Sequence, residues 1–188
     1  MNSEKLPPGC YWGVKKPFEP NIYFLMNGFK LLGQEKLTPF TKINIKKLWQ
    51  RKYMFIGELK ALSIETQDFF FFFEQHPGQL YHCDRPNGNM ANATHQQIIC
   101  FFWDPDAKSC GLKIYSENKL IRHIESEIDY TICVNIGDPL ARKDAGLPTA
   151  KSFNDQQLVE YLHQIPIDLP EMINPDKTLT GIIYTLTR

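Results

Sequence analysis

Apolar and polar positions alternate most clearly between Gln97 and Ile128. Short apolar runs there are separated by turn-forming residues: Ile98-Ile99-Cys100-Phe101-Phe102-Trp103, the turn Asp104-Pro105-Asp106, Gly111-Leu112-Lys113-Ile114-Tyr115, the pair Glu117-Asn118, and Leu120-Ile121-Arg122-His123-Ile124. This pattern predicts an antiparallel meander over about 98–124, because tight turns join strands that lie side by side in opposite directions. Leu112 and Ile114 share one face opposite Lys113 and Tyr115, whereas Leu120, Arg122 and Ile124 alternate less cleanly with Ile121 and His123. Phe69 to Phe73 leaves no polar face at either period, and the stop at His76-Pro77-Gly78 makes it too short for a helix. It predicts a strand buried on both sides.

Elsewhere the pattern predicts smaller pieces. Leu158, Tyr161, Leu162 and Ile165 repeat at helical spacing behind Ser152 or Asn154 as N-cap and ahead of Pro166, which predicts a helix over 155–164. Thr178 to Thr187 alternates as a closing strand, with Leu179, Gly181, Ile183 and Thr185 on one side. Prolines and glycines crowd residues 1–40, so an irregular or short-stranded opening is expected, with a short strand at 22–26 before the turn Asn27-Gly28. A helix at 42–51, a strand at 53–60 and an exposed loop at 84–95 complete the reading. No repeat or linker divides the chain, so we expect one α+β domain over 1–188, built on a mainly antiparallel sheet with a few short helices.

Composition narrows the class. The 13 Phe, 8 Tyr and 3 Trp exclude a disordered chain, and a collagenous or coiled-coil protein is excluded too. No apolar run approaches a membrane span, and Met1 to Pro8 lacks the apolar core of a secretory signal, so a cytoplasmic location is expected. Five widely spaced cysteines (Cys10, Cys83, Cys100, Cys110, Cys133) include no C-x-x-C pair, which predicts reduced, mostly buried thiols. The neutral total conceals an asymmetry. Residues 1–60 carry eleven Lys or Arg against four Glu, a surplus of seven positive charges that the remainder cancels.

Candidate chemistry is sparse. His82, Cys83, Asp84 and His95, with Cys100 nearby, are the densest nucleophilic or metal-like grouping, yet His82 and Cys83 as strand neighbours would point apart, so no metal site is expected. No nucleophile elbow and no Gly-rich phosphate cradle occurs, and no cofactor is expected. Asp104-Pro105-Asp106-Ala107-Lys108 reads as a β-turn in preference to a calcium loop. Lys46, Lys47, Trp49, Arg51, Lys52 and Tyr53 interleave cations with aromatics, a surface suited to an acidic protein or, as a lesser alternative, to nucleic acid. The leading expectation is a non-catalytic protein-binding protein, of immunity or accessory type; the alternative is an enzyme with a pocket near His82, Cys83 and His95.

One pattern resembles small uncharacterised bacterial proteins in which an "x-G-K-L-x-R" hairpin precedes "G-E-P-L-P". Here it reads Asn118-Lys119-Leu120-Ile121-Arg122 and Gly137-Asp138-Pro139-Leu140-Ala141, with Asn118, Asp138 and Ala141 replacing the turn glycine, the glutamate and the second proline. The resemblance covers about a quarter of the chain. It implies a bacterial protein built round a meander, and no activity.

Overall fold

A run of phenylalanines can be strand only where both sheet faces are covered, and the fold supplies such a place. The structure, a computed structural model, describes residues 9–26, 28–40, 58–65, 68–74, 91, 95–137, 152–162 and 179–187. In chain order these form β1 (Gly9–Lys15), α1 (Pro20–Met26), β2 (Lys30–Phe40), β3 (Glu58–Glu65), β4 (Phe69–Glu74), β5 (Ile98–Asp104), β6 (Ser109–Ser116), β7 (Lys119–Glu127), a single 3-10 turn (Ile128–Tyr130), β8 (Thr131–Ile136), α2 (Asp155–Leu162) and β9 (Leu179–Thr187). The nine strands make one sheet in the order β2-β9-β3-β4-β1-β5-β6-β7-β8, and every neighbouring pair is antiparallel. The described residues are therefore mainly β, with the helices a minor part.

Both faces carry core. On one, Tyr11, Phe69, Phe71, Phe101, Leu112 and Ile114 pack beneath Phe153 and the α2 residues Leu158, Tyr161 and Leu162. On the other, Trp12, Phe72, Cys100, Tyr115, Tyr184 and Leu186 pack with the α1 residues Tyr23 and Phe24. The phenylalanine strand β4 lies between β3 and β1, sending Phe69 and Phe71 to the α2 face and Phe72, with half-buried Phe70, to the α1 face. Across from Phe71, Gly13 is held to glycine by contact, since a Cβ there would lie 2.6 Å from the Phe71 ring.

The meander forms as β5, β6 and β7. Its untidy third strand has a cause: the register shifts between Ile114 and Tyr115, so Ile114 faces Arg122 while Tyr115 faces Leu120, and Ile121 is the extra residue. The predicted helix forms as α2. Its cap is Asn154, whose Oδ1 accepts from the Gln157 N–H at 2.9 Å while Gln157 Oε1 accepts from the Asn154 N–H at 2.8 Å, a reciprocal capping box. Ahead of it, Ser126 Oγ donates to the Phe153 carbonyl at 2.7 Å, fastening the helix to β7.

Two expectations need correction. Residues 22–26 are helix: Pro20 occupies the first helical position, where its missing N–H is harmless, and a five-residue apolar run is compatible with either period. The irregular opening is largely regular, because Gly9–Lys15 is an interior strand and Lys30–Phe40 an eleven-residue one. The helix at 42–51 and most of the strand at 53–60 lie outside the described residues, as does the loop at 84–95 apart from Ala91 and His95. Ala91 is fully buried against the α1-face core, which departs from an exposed loop at that position.

Candidate functional site

Helix α1 is short, and its ending fixes what it displays. Gly28, at φ +77°, takes the left-handed position after the helix, the Phe29 N–H donates to the Phe24 carbonyl at 2.8 Å, and the Gly28 N–H donates to that of Leu25 at 3.0 Å. These are the two bonds of a Schellman stop, and the accompanying apolar contact is supplied by Phe24 and Phe29, both buried in the same cluster. The helix thus turns directly into β2. Tyr23 stacks on Phe72 with ring centroids 5.1 Å apart, and Phe24 lies against Phe72 and Tyr184. With that side committed to the core, Ile22 and Leu25, three residues apart and so on one helical face, are 41% and 72% exposed.

Strand β2 continues the apolar surface. It is the outermost strand at its end of the sheet, and residues 30–36 are all exposed. Leu31 and Leu32 are 38% and 56% exposed. Leu31 pairs with Leu186, which places it on the α1 face, and Leu32 is the extra residue at a bulge. Lys30, Glu35 and Lys36 stand around them and form no ion pair with one another or with any described residue. Four exposed aliphatic side chains thus fall on two elements that touch, α1 and the start of β2, with Lys30 and Lys36 on the same strand. Single exposed leucines carry no such information.

The other end of the sheet buries charged groups, although Ile128 and Ile136 there are 75% and 54% exposed. Arg122 is fully buried; its guanidinium Nη1 donates to Asn135 Oδ1 at 2.8 Å and to the Ile136 carbonyl at 2.9 Å, pinning β8 to β7. Next to it Gly137, at φ +90°, passes so close that a Cβ would collide with the Ile121 carbonyl oxygen. Gly137, the first residue of the second short motif, therefore lies against Ile121 and Arg122 of the first, and 138–141 lie outside the described residues. On the α1 face, cross-strand pairing sets Trp12, Cys100, Lys113 and His123 in one row, with Lys113 3% and His123 9% exposed. His123 Nε2 lies 2.8 Å from Glu125 Oε2. On the α2 face burial, the largest cause, pushes the Cys110 thiol up to about 12, with Asp155 and Glu125 adding and a Ser126 hydrogen bond opposing. A thiol so shifted is almost wholly protonated at neutral pH and is a poor nucleophile.

Of the residues singled out from the sequence, His82, Cys83 and Asp84 lie outside the described residues, as do Lys46, Lys47, Trp49, Arg51, Lys52 and Tyr53. His95 is described, exposed, in left-handed backbone at φ 54°. Cys10, Cys100 and Cys110 are buried thiols outside any disulfide, and Cys133 is an exposed one. Asp104 forms its turn as expected, with Oδ1 accepting from the Asp106 and Ala107 N–H groups. No group of three or more metal-ligating side chains occurs among the described residues, and no described helix is long and apolar enough to cross a membrane. The α1–β2 patch and the Lys113–His123–Glu125 row were missed by sequence reasoning; a helix stop at Gly28 was the available signal for the first, and none existed for the second. Comparison with protein-family models, with curated proteins and with solved structures finds no match to the chain.

Proposed function

We propose that the protein is a non-catalytic, intracellular protein-binding protein that takes its partner on the α1–β2 surface. The observation that carries this reading is the exposure of Ile22, Leu25, Leu31 and Leu32 on two adjoining elements, with Lys30 and Lys36 in no ion pair among the described residues. Aliphatic side chains in such a patch lose contact with water when a partner covers them, and charges at the rim steer the approach. The surplus of seven positive charges over residues 1–60 favours a partner whose contact surface is apolar at its centre and acidic at its edge.

The test compares partner capture from extract of the source cell by the wild type and by the double variant Leu25→Asp/Leu32→Asp. A specific protein retained by the wild type should be lost by the variant. Capture unchanged by the double substitution would overturn the assignment of the surface. Submicromolar binding of duplex or single-stranded nucleic acid at physiological salt, abolished when Lys46, Lys47, Arg51 and Lys52 are neutralised, would replace it with nucleic-acid binding.

A further inference from the structure

Strand β2 pairs with β9 on one side and, among the described residues, with no strand on the other. Between its two bulges, at Leu31/Gly33 and Leu37/Phe40, residues Gly33 to Leu37 keep unbroken register with β9. A strand in regular register sends alternate N–H and C=O groups outward in an even ladder, which is the template that an extended segment pairs with. The bulges delimit this ladder to five residues. Lys30 and Lys36 stand toward its two ends, and Leu31 with α1 lies on one face of it.

We infer that β2 is a strand-addition edge, which accepts from the partner an extended segment with alternating apolar residues and acidic flanks. Main-chain bonds to the ladder would supply affinity, and one row of the segment's side chains would cover the apolar surface on the α1 face. The acidic flanks answer Lys30 and Lys36. This inference rests on the α1–β2 surface being the partner site.

The probe is a displayed library of random twelve-residue peptides, selected on the full chain, followed by hydrogen exchange with the selected peptides made synthetically. The peptides should alternate apolar residues between acidic ends and should slow exchange of amides in 33–37. Gln34→Pro and Glu35→Pro separate the two sides of the strand, since successive N–H groups point in opposite directions. The variant that retains its melting temperature has lost an outward N–H, and it should bind the selected peptides about tenfold more weakly. Peptides that leave exchange at 33–37 unchanged and lose binding only in Leu25→Asp would overturn strand addition while leaving the surface assignment intact. Failure to select any peptide above bare support would overturn strand addition, and the capture experiment then judges the surface independently. A concentration-dependent dimer abolished by the same proline would overturn it in favour of a second copy.

Discussion

At the β7–β8 end of the sheet, Lys113, Arg122 and His123 are basic side chains at most 9% exposed, whereas at the α1–β2 end Ile22, Leu25, Leu31 and Leu32 are aliphatic side chains at least 38% exposed. Each end inverts the usual placement of its residue types. The inversions differ in what they do. A buried charge is tolerated only where its bonds are made, so Arg122 holds β8 in one register and one orientation. An exposed aliphatic cluster makes no such demand on the fold, and its contact with water brings the isolated chain no stability. The buried inversion is held by hydrogen bonds within the chain, and the exposed one is the feature on which the proposed partner site rests.

The sharpest way to break this comparison is to disable the strand that both halves share. Phe71→Asp places an unpaired carboxylate in the α2-face core and should cost more than about 4 kcal/mol, enough to abolish the folded state as read by circular dichroism. A cooperative melt retained in that variant would show that the two ends fold independently of β4. Next in size is Arg122→Met. It removes the guanidinium bonds to Asn135 Oδ1 and the Ile136 carbonyl and should cost about 3 kcal/mol in denaturant titration, with the largest gain in amide exchange over 131–136.

A pH measurement addresses the sealed interior of the α2 face. The Cys110 thiol moves from an ordinary 9.0 to about 12, so above about pH 9 the unfolded chain releases a proton that the folded chain keeps. The stability involved is intact below that value and is lost as pH rises toward 12. Burial shifts Tyr11 in the same direction. Melting temperature should fall steadily between about pH 9 and about pH 11, and Cys110→Ala should flatten the decline. An identical slope in both proteins would show that the thiol is not protected by burial. The smallest expected effect belongs to Leu25→Asp/Leu32→Asp, which should change stability by less than about 0.5 kcal/mol per site while removing partner capture. A larger loss would mean that these side chains serve the fold after all.

Sequence pattern was informative where burial is uniform along an element. Five phenylalanines, the β5–β7 runs with their turns, and the α2 spacing each repeat one local signal several times, and each element forms where that signal lies. Strand β2 carries no such signal, since an edge strand exposed on both faces has no reason to alternate, and Lys30-Leu31-Leu32-Gly33-Gln34-Glu35-Lys36 accordingly does not. Helix α1 was hidden for a different reason: Ile22 to Met26 is apolar throughout, so its period cannot be read. The Lys113–His123 pairing depends on register between strands, which residues ten apart in sequence do not disclose. Nor did the α1–β2 surface announce itself, because it joins a helix face to a strand edge through a turn that sequence alone placed after a short strand.

The strand order has a consequence for the chain as it is made. β1 sits at the middle of the sheet and can pair with β4 and β5 as soon as each is synthesised, but β2 touches the rest of the sheet only through β9, which lies at residues 179–187. Until those residues are synthesised, β2 and the outer side of β3 lack their strand neighbour in the described sheet. Sheet growth can therefore run toward β8 before β2 is docked, and the α1–β2 surface is completed only once residues 179–187 have joined the sheet.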